Sequence, residues 1–73
     1  MSTKRTFELK ADSEFIELMK LLKVEQIAQT GGHAKMLIED GLVTVNNEPE
    51  SRKRRKLRKG DVIQVEDTII QIR

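Results

Sequence analysis

Cysteine, tyrosine and tryptophan are absent from this chain of 73 residues, and histidine and proline occur once each. Without cysteine the chain can form neither a disulfide nor a thiolate metal site, which suits a reducing cytosol. A nucleophile–base pair would have to combine His33 with a distant carboxylate. We therefore expect a cytoplasmic protein that has no cofactor, no metal and no enzymatic activity.

Long apolar runs are also missing. No apolar stretch follows the charged N-terminus, so we expect neither a signal peptide nor a membrane span. The length predicts a single domain over residues 1–73. The aromatic residues are Phe7 and Phe15, both at core-like positions, so the core must be aliphatic. No aromatic platform is then left for stacking the bases of a single-stranded nucleic acid.

The most distinctive feature that is present is a run of positive charge over residues 52–59, here called the basic segment. Its sequence is Arg-Lys-Arg-Arg-Lys-Leu-Arg-Lys, so seven of its eight residues are cationic, half of the chain's 14 lysines and arginines. The chain's net charge is +2, which leaves −5 outside the segment. No carboxylate lies between Glu50 and Asp61. Such a strip favours a polyanionic partner, most commonly nucleic-acid phosphate.

Hydrophobic periodicity predicts two helices after a short strand. Thr6–Lys10 alternates as a strand does. An apolar stripe at helical spacing predicts helix one over residues 13–23, capped by a short polar side chain at its start. The stripe consists of Phe15, Leu18, Met19 and Leu22. Thr30 as a cap and Gly41 as a left-handed end residue predict helix two over about residues 31–40.

The second half of the chain alternates as β-strands do. A strand over residues 42–45 is followed by an Asn46–Asn47 turn, and Pro49 confines the next stretch to a sheet edge. A further turn is expected at residues 59–61, and a final hairpin joins strands 62–65 and 69–72 around Asp67–Thr68.

An extended conformation is the simplest expectation for the basic segment. Alternate side chains of a strand point to opposite faces. The two faces would be Arg52, Arg54 and Lys56, and Lys53, Arg55 and Leu57. We expect Leu57 to anchor the segment to the core, and the charged residues to form an exposed arm or edge strand.

Several roles are open to such a segment. Its charge could protect a sheet edge from aggregation, act as a nuclear-localisation patch, attract an anionic membrane or dock an acidic protein. The lack of compensating acids favours a partner over a purely protective role, because unrelieved repulsion costs stability. No amphipathic basic helix supports the membrane.

The lack of aromatic platforms favours a folded RNA, recognised through phosphates and shape. The open amides and positive end of helix two could add to the site. A DNA-reading helix-turn-helix is disfavoured, because Glu39 and Asp40 would face phosphate. The expected RNA-contacting residues are Gly31, Gly32, His33, Lys35, Arg52, Lys53, Arg54, Arg55, Lys56, Arg58 and Lys59.

Three stretches carry a family resemblance: Gly-Gly-His-Ala-Lys-Met-Leu-Ile-Glu-Asp-Gly at residues 31–41, Val-Thr-Val-Asn at 43–46 and Lys-Gly-Asp-Val-Ile at 59–63. In this order, and after a leucine-rich helix, they resemble the S-four-type RNA-binding domain, named after small-subunit ribosomal protein four, over about residues 15–65. The likeness is strongest to small stand-alone bacterial members. It implies an α+β fold in which two helices pack on a small bent antiparallel sheet, with a short N-terminal strand and a C-terminal hairpin. It also implies binding of structured ribosomal or transfer RNA.

Three positions depart from that family pattern. Phe15 and Ile16 stand where an arginine commonly opens helix one, Gly31 where one opens helix two, and Asn47 where glycine follows the turn asparagine. The helix contacts to phosphate then fall to Lys35 and the backbone amides. We expect a monomeric, non-enzymatic module for structured RNA, ribosomal RNA foremost, with a role in ribosome assembly or translation. The alternative is a protein adaptor whose basic arm docks an acidic partner.

Overall fold

The computed structural model describes residues 3–73, which form two helices and seven short strands. In chain order these are β1 Thr3–Phe7, β2 Ile16–Glu17, α1 Leu18–Val24, α2 Gly31–Glu39, β3 Val43–Val45, β4 Glu48–Pro49, β5 Lys56–Leu57, β6 Val62–Val65 and β7 Thr68–Ile72. The predicted α+β class, with an N-terminal strand and a C-terminal hairpin, is confirmed.

The strands form a five-stranded sheet in the order β1-β7-β6-β3-β4 and a separate two-stranded sheet of β2 and β5. All neighbours are antiparallel except β1 and β7, which run parallel with Thr3 opposite Thr68. The larger sheet is therefore mixed, whereas a wholly antiparallel one was expected. A parallel partner is available to β1 because nearly the whole chain separates it from β7, enough for the crossover that parallel pairing requires.

The core is aliphatic, as expected from the composition. Its largest fully buried side chains come from both helices and from both sheets, namely Leu18, Leu21, Leu22, Ile38, Val43, Leu57, Ile63, Ile70 and Ile72. Phe7, Leu9, Met19 and Ile27 pack against this cluster and remain partly exposed. One core therefore joins the helices to both sheets.

Helix α2 agrees closely with its prediction. The Thr30 hydroxyl accepts a hydrogen bond from the His33 backbone N–H at 3.0 Å, the N-cap arrangement expected of threonine. At the other end Gly41 takes a φ of +76°, and the Leu42 N–H donates to the Leu37 carbonyl at 3.1 Å. This is the left-handed helix ending that glycine favours, and it stops α2 one residue before the predicted end.

Helix α1 begins five residues later than predicted, at Leu18 instead of residue 13. Its first N–H groups are not capped by a polar side chain. Instead the Leu18 and Met19 N–H groups each donate at 2.9 Å, to the Arg55 and Lys53 carbonyls. The residues before the helix are therefore drawn into a strand beside the basic segment, with Ile16 opposite Leu57.

The turns follow their sequence signals. Asn46 and Asn47 have φ values of 53° and 71°, and Gly60 has a φ of 94°. β4, which contains Pro49, lies at an edge of the large sheet as expected. The last hairpin turns at Glu66–Asp67, one residue earlier than predicted, with Glu66 at a φ of 52°.

Candidate nucleic-acid interface

The basic segment is folded into turns, and the predicted extended arm with alternating faces is wrong. A turn over residues 52–55 is closed by the Arg55 N–H donating to the Arg52 carbonyl at 3.2 Å. β5 follows, and a second turn is closed by the Asp61 N–H donating to the Arg58 carbonyl at 3.0 Å. Leu57 is fully buried, so its predicted role as the anchor is confirmed.

Glu50 lies between two arginines of the segment and is buried, with 6% exposure. The Arg52 side chain donates to both carboxylate oxygens at 3.1 Å, and its backbone N–H donates at 3.0 Å. Arg55 Nη1 donates at 2.6 Å. Hydrogen bonds from Arg52, then Arg55, lower the pKa of Glu50 from 4.5 to about 2, against the effect of burial. The expectation that no acid compensates the run is wrong.

Five cations of the segment have no acidic partner among residues 3–73, and the side chains of all five are exposed. They are Lys53, Arg54, Lys56, Arg58 and Lys59. Lys53 and Arg54 occupy the two central positions of the 52–55 turn, here called its tip, and both are exposed. Pairing of two arginines with Glu50 therefore fixes the turn and leaves its tip free to meet an anion.

A shallow concavity separates this turn from α2. Lys35 and Glu39 line it from the helix, and residues 51–56 line it from the other side. Lys35 Nζ lies 3.9 Å from the Glu39 carboxylate, an exposed pair that contributes little to stability. The structure thus brings Lys35 to the basic segment, as predicted, and also places one carboxylate at the rim.

The start of α2 lies outside that concavity. The N–H groups of Gly31 and Gly32 find no acceptor within residues 3–73, so they are free at the positive end of the helix. His33 Nδ1 accepts a long hydrogen bond, 3.4 Å, from the Gln29 N–H. Met19 lies between the two regions, because its N–H bonds to Lys53 and its sulfur lies 4.0 Å from where a Gly31 Cβ would stand.

Phe15 belongs to the charged surface, contrary to its predicted core position. It is 37% exposed, and its ring centre lies 4.9 Å from Lys56 Nζ and 6.0 Å from Arg58 Cζ. These are cation–π distances. The sequence signal for an exposed Phe15 is strand alternation, in which Ile16 is buried while its neighbours face outward. The same residues also fit a helical apolar stripe, which led to the prediction of a core position.

The side chains of the motif residues Asn46 and Asp61 hold the C-terminal end of the basic segment through hydrogen bonds. Asn46 Nδ2 donates to Asp61 Oδ1 at 3.1 Å, and Asn46 Oδ1 accepts from the Val62 N–H at 2.9 Å. Asp61 Oδ2 also accepts from the Arg58 N–H at 2.8 Å. These bonds tie the 46–47 turn to the turn that ends the basic segment, so both residues hold the surface in place.

Two further observations concern residues 3–73 alone. No helix in this range is long and apolar enough to span a bilayer. No three acidic or histidine side chains in it are gathered in a way that could hold a metal ion.

The two helices, the mixed sheet and the cationic turn beside the second helix together define a small α+β domain. The chain belongs to the S4 domain family, whose pattern matches residues 7–73. The resemblance seen in the sequence is therefore confirmed, and it reaches further towards both ends than the expected residues 15–65.

Two relatives are similar along most of their length. The probable ribosome maturation protein RlbA of Bacillus subtilis (strain 168) is 44% identical over 55 residues, which are 75% of this chain and 78% of that protein. The solution structure of YbcJ from E. coli has a TM-score of 0.69 and 35% identity, covering 99% of this chain and 90% of that one. YbcJ is described as having an ALFAL motif involved in RNA-binding.

Proposed function

We propose that this protein is a non-enzymatic module that binds structured RNA, ribosomal RNA foremost, and acts in ribosome assembly or translation in the cytoplasm. The observation that carries the proposal is the group of five exposed cations with no acidic partner among residues 3–73, of which Lys53, Arg54 and Lys56 line the concavity together with Lys35. The similarity to a probable ribosome maturation protein and to a structure described as RNA-binding supports the same function.

The unpaired cations are the main phosphate contacts in this proposal. Lys53 and Arg54 lead, because they occupy the tip of the turn, and Lys35 faces them across the concavity. Lys56, Arg58 and Lys59 extend the charged surface along β5 and the following turn. Their backbone is held by the hydrogen bonds of two turns and of β5, which favours an RNA whose phosphates already stand in a fixed arrangement.

The remaining predicted contacts have secondary roles. Arg52 keeps 71% of its side chain exposed and retains donors beyond those given to Glu50. Arg55 is 32% exposed and serves chiefly to hold the turn. The amides of Gly31 and Gly32, with His33 beside them, reach only those phosphates that extend past the concavity to the start of α2.

The proposal is tested by titrating folded fragments of ribosomal RNA at several salt concentrations. If four to six phosphates are neutralised, log Kd should change with log salt with a slope of magnitude about 3–5. Because structured fragments are the proposed ligand, an unstructured RNA of equal length is the control and should bind more weakly. Absence of binding, or affinity that does not respond to salt, would contradict the proposal.

The Glu50 contact favours a second candidate, an adaptor that docks an acidic protein. Arg52 donates two side-chain hydrogen bonds of 3.1 Å to the Glu50 carboxylate. Arginines of the segment can therefore bind carboxylates as well as phosphates. Affinity capture from a lysate with and without nuclease separates the candidates. Partners that resist nuclease support the adaptor, and partners lost with the RNA support the proposed function.

A further inference from the structure

We propose that Phe15 is a stacking site for one unpaired base of the bound RNA, next to the phosphates held by the basic segment. This inference rests on the proposed function and adds the kind of RNA feature that is recognised. It follows from the exposed ring, from the cations that lie over it and from the groove that opens beside it.

The ring stands on the outer face of the small sheet. Ile16 pairs with Leu57 and both are buried, so the adjoining residues Phe15 and Arg58, which lie just beyond this two-residue ladder, face the opposite way. Lys56 lies on the same outer face and covers part of the ring at 4.9 Å. An aromatic ring and two cations are thereby brought together at the end of the small sheet.

A groove opens beside Phe15, between the chain that follows β1 and the start of α1. Phe7, Leu9 and Val24 supply apolar wall, and polar residues line the rest. A nucleobase has the matching shape and chemistry, with apolar faces and a hydrogen-bonding edge.

The charges of the groove select the base over the phosphate. Asp12, Glu14 and Glu17 line it, against two lysines, so a phosphate would be repelled. Carboxylates accept hydrogen bonds from the amino and imino groups of bases. Phe15 lines this groove and also contacts Lys56 and Arg58 of the basic segment. An RNA backbone can therefore remain on the cationic side while a splayed base enters the groove.

Stacking on a base is a stronger interaction for the ring than the contact with Lys56. An exposed cation–π contact is weak. Alanine substitutions of aromatic side chains show that stacking a base on the ring contributes more to binding. A base that enters the groove leaves Lys56 on the ring, where its ammonium group can also meet the adjacent phosphate.

The test uses two RNA hairpins that differ in one base. One has a single unpaired nucleotide beside its stem, and the other has an abasic nucleotide there, with the same number of phosphates. We expect the unmodified protein to bind the first about 10-fold more tightly, which corresponds to about 1.4 kcal/mol. In Phe15→Leu, which keeps an apolar side chain, the ratio should fall to about one while the salt dependence stays unchanged.

Phe15→Trp gives an independent optical signal. The chain has no tryptophan or tyrosine, so this variant contains a single indole. Its fluorescence should be quenched by the hairpin with the unpaired base and unaffected by the abasic one. Circular dichroism of both variants checks that they are folded.

The outcomes separate this inference from the proposed function. Equal, salt-dependent affinity of the unmodified protein for both hairpins would overturn the stacking site and leave the RNA-binding function intact. A preference that persists in Phe15→Leu would also overturn it, because the base would then be held elsewhere. Failure to bind either hairpin, or any folded ribosomal fragment, would contradict both proposals.

Discussion

At the scale of single residues, Glu50 explains how so many cations fit into one short segment. A buried carboxylate receives three hydrogen bonds from Arg52 and one from Arg55, so it relieves the repulsion at the base of the 52–55 turn. An unpaired buried charge would be costly, and here both partners are in place. In the sequence Glu50 only marks the boundary of the basic segment, whereas in the structure its carboxylate holds the 52–55 turn together.

Replacing Glu50 by glutamine should destabilise the protein by about 1–3 kcal/mol, because two arginines lose a charged acceptor in a partly buried site. Urea unfolding measures the change. Glu48→Gln is the matched control, since Glu48 is exposed on the edge strand and should change stability by less than about 0.5 kcal/mol. Equal effects of the two substitutions would show that the Glu50 contacts do not hold the turn.

The pH dependence of the free energy of unfolding should also report the Glu50 hydrogen bonds. The pKa of Glu50 is about 2 in the folded state, below its usual 4.5, so the unfolded state binds the proton more readily. Solvent around the exposed Arg52 side chain screens the pair and reduces its contribution to about 2 kcal/mol. This contribution is fully present above about pH 4.5 and is lost as the pH falls towards 2. Urea unfolding at pH 7 and pH 3 should show the difference between the unmodified protein and Glu50→Gln shrinking in acid. A constant difference would contradict the assignment.

At the scale of elements, the two helices show what sequence signals can and cannot predict. The start and end signals of α2, Thr30 and Gly41, adjoin the helix, so its bounds were predicted nearly to the residue. The first N–H groups of α1 bond to Lys53 and Arg55 carbonyls, more than thirty residues away in the chain. A local pattern cannot contain that information, and the same pairing moved Phe15 from the expected core to the surface.

The turns of the basic segment escaped prediction for a related reason. Alternation was the only local guide to residues 52–59, because the segment contains none of the glycine, proline, asparagine, aspartate or serine residues that signal a turn. The contacts that bend the chain are the side-chain hydrogen bonds to Glu50 and the backbone hydrogen bonds to the start of α1. The cluster of candidate residues was therefore predicted from composition, whereas its shape depended on tertiary contacts. Lys35 lies beside the segment as expected.

Reversing charge at the tip of the turn should abolish RNA binding without unfolding the domain. Lys53→Glu with Arg54→Glu changes two exposed side chains that have no acidic partner within residues 3–73. Arg55 is unsuitable for this test, because its replacement by glutamate would place a second carboxylate against Glu50. We expect Kd to rise at least 100-fold at low salt, measured by fluorescence anisotropy with labelled ribosomal fragments.

The control for that variant carries the same change in net charge elsewhere. Lys4→Glu with Arg73→Glu alters exposed residues at the β1–β7 edge, outside the cationic concavity. Its affinity should fall by less than about 10-fold, because only the long-range attraction is weakened. Equal losses in the two double variants would mean that net charge, and not the turn, governs binding.

At the scale of the whole molecule, the charge is divided. The basic segment carries seven cations while the rest of the chain has a net charge of −5. A polyanion therefore meets attraction on one surface and net repulsion around it, which orients the encounter. Glu39 at the rim of the concavity and the three carboxylates of the Phe15 groove mark where phosphate should stop.

The central claim is that the turn of the basic segment binds structured RNA, and crosslinking in living cells tests it most directly. The unmodified protein and Lys53→Glu with Arg54→Glu, expressed at equal levels, would be crosslinked to RNA by ultraviolet light, purified and their bound RNA sequenced. We predict that folded regions of ribosomal RNA dominate the unmodified sample and are lost from the variant. Recovery of the same RNA in equal amounts from both proteins, or of none from either, would contradict the claim.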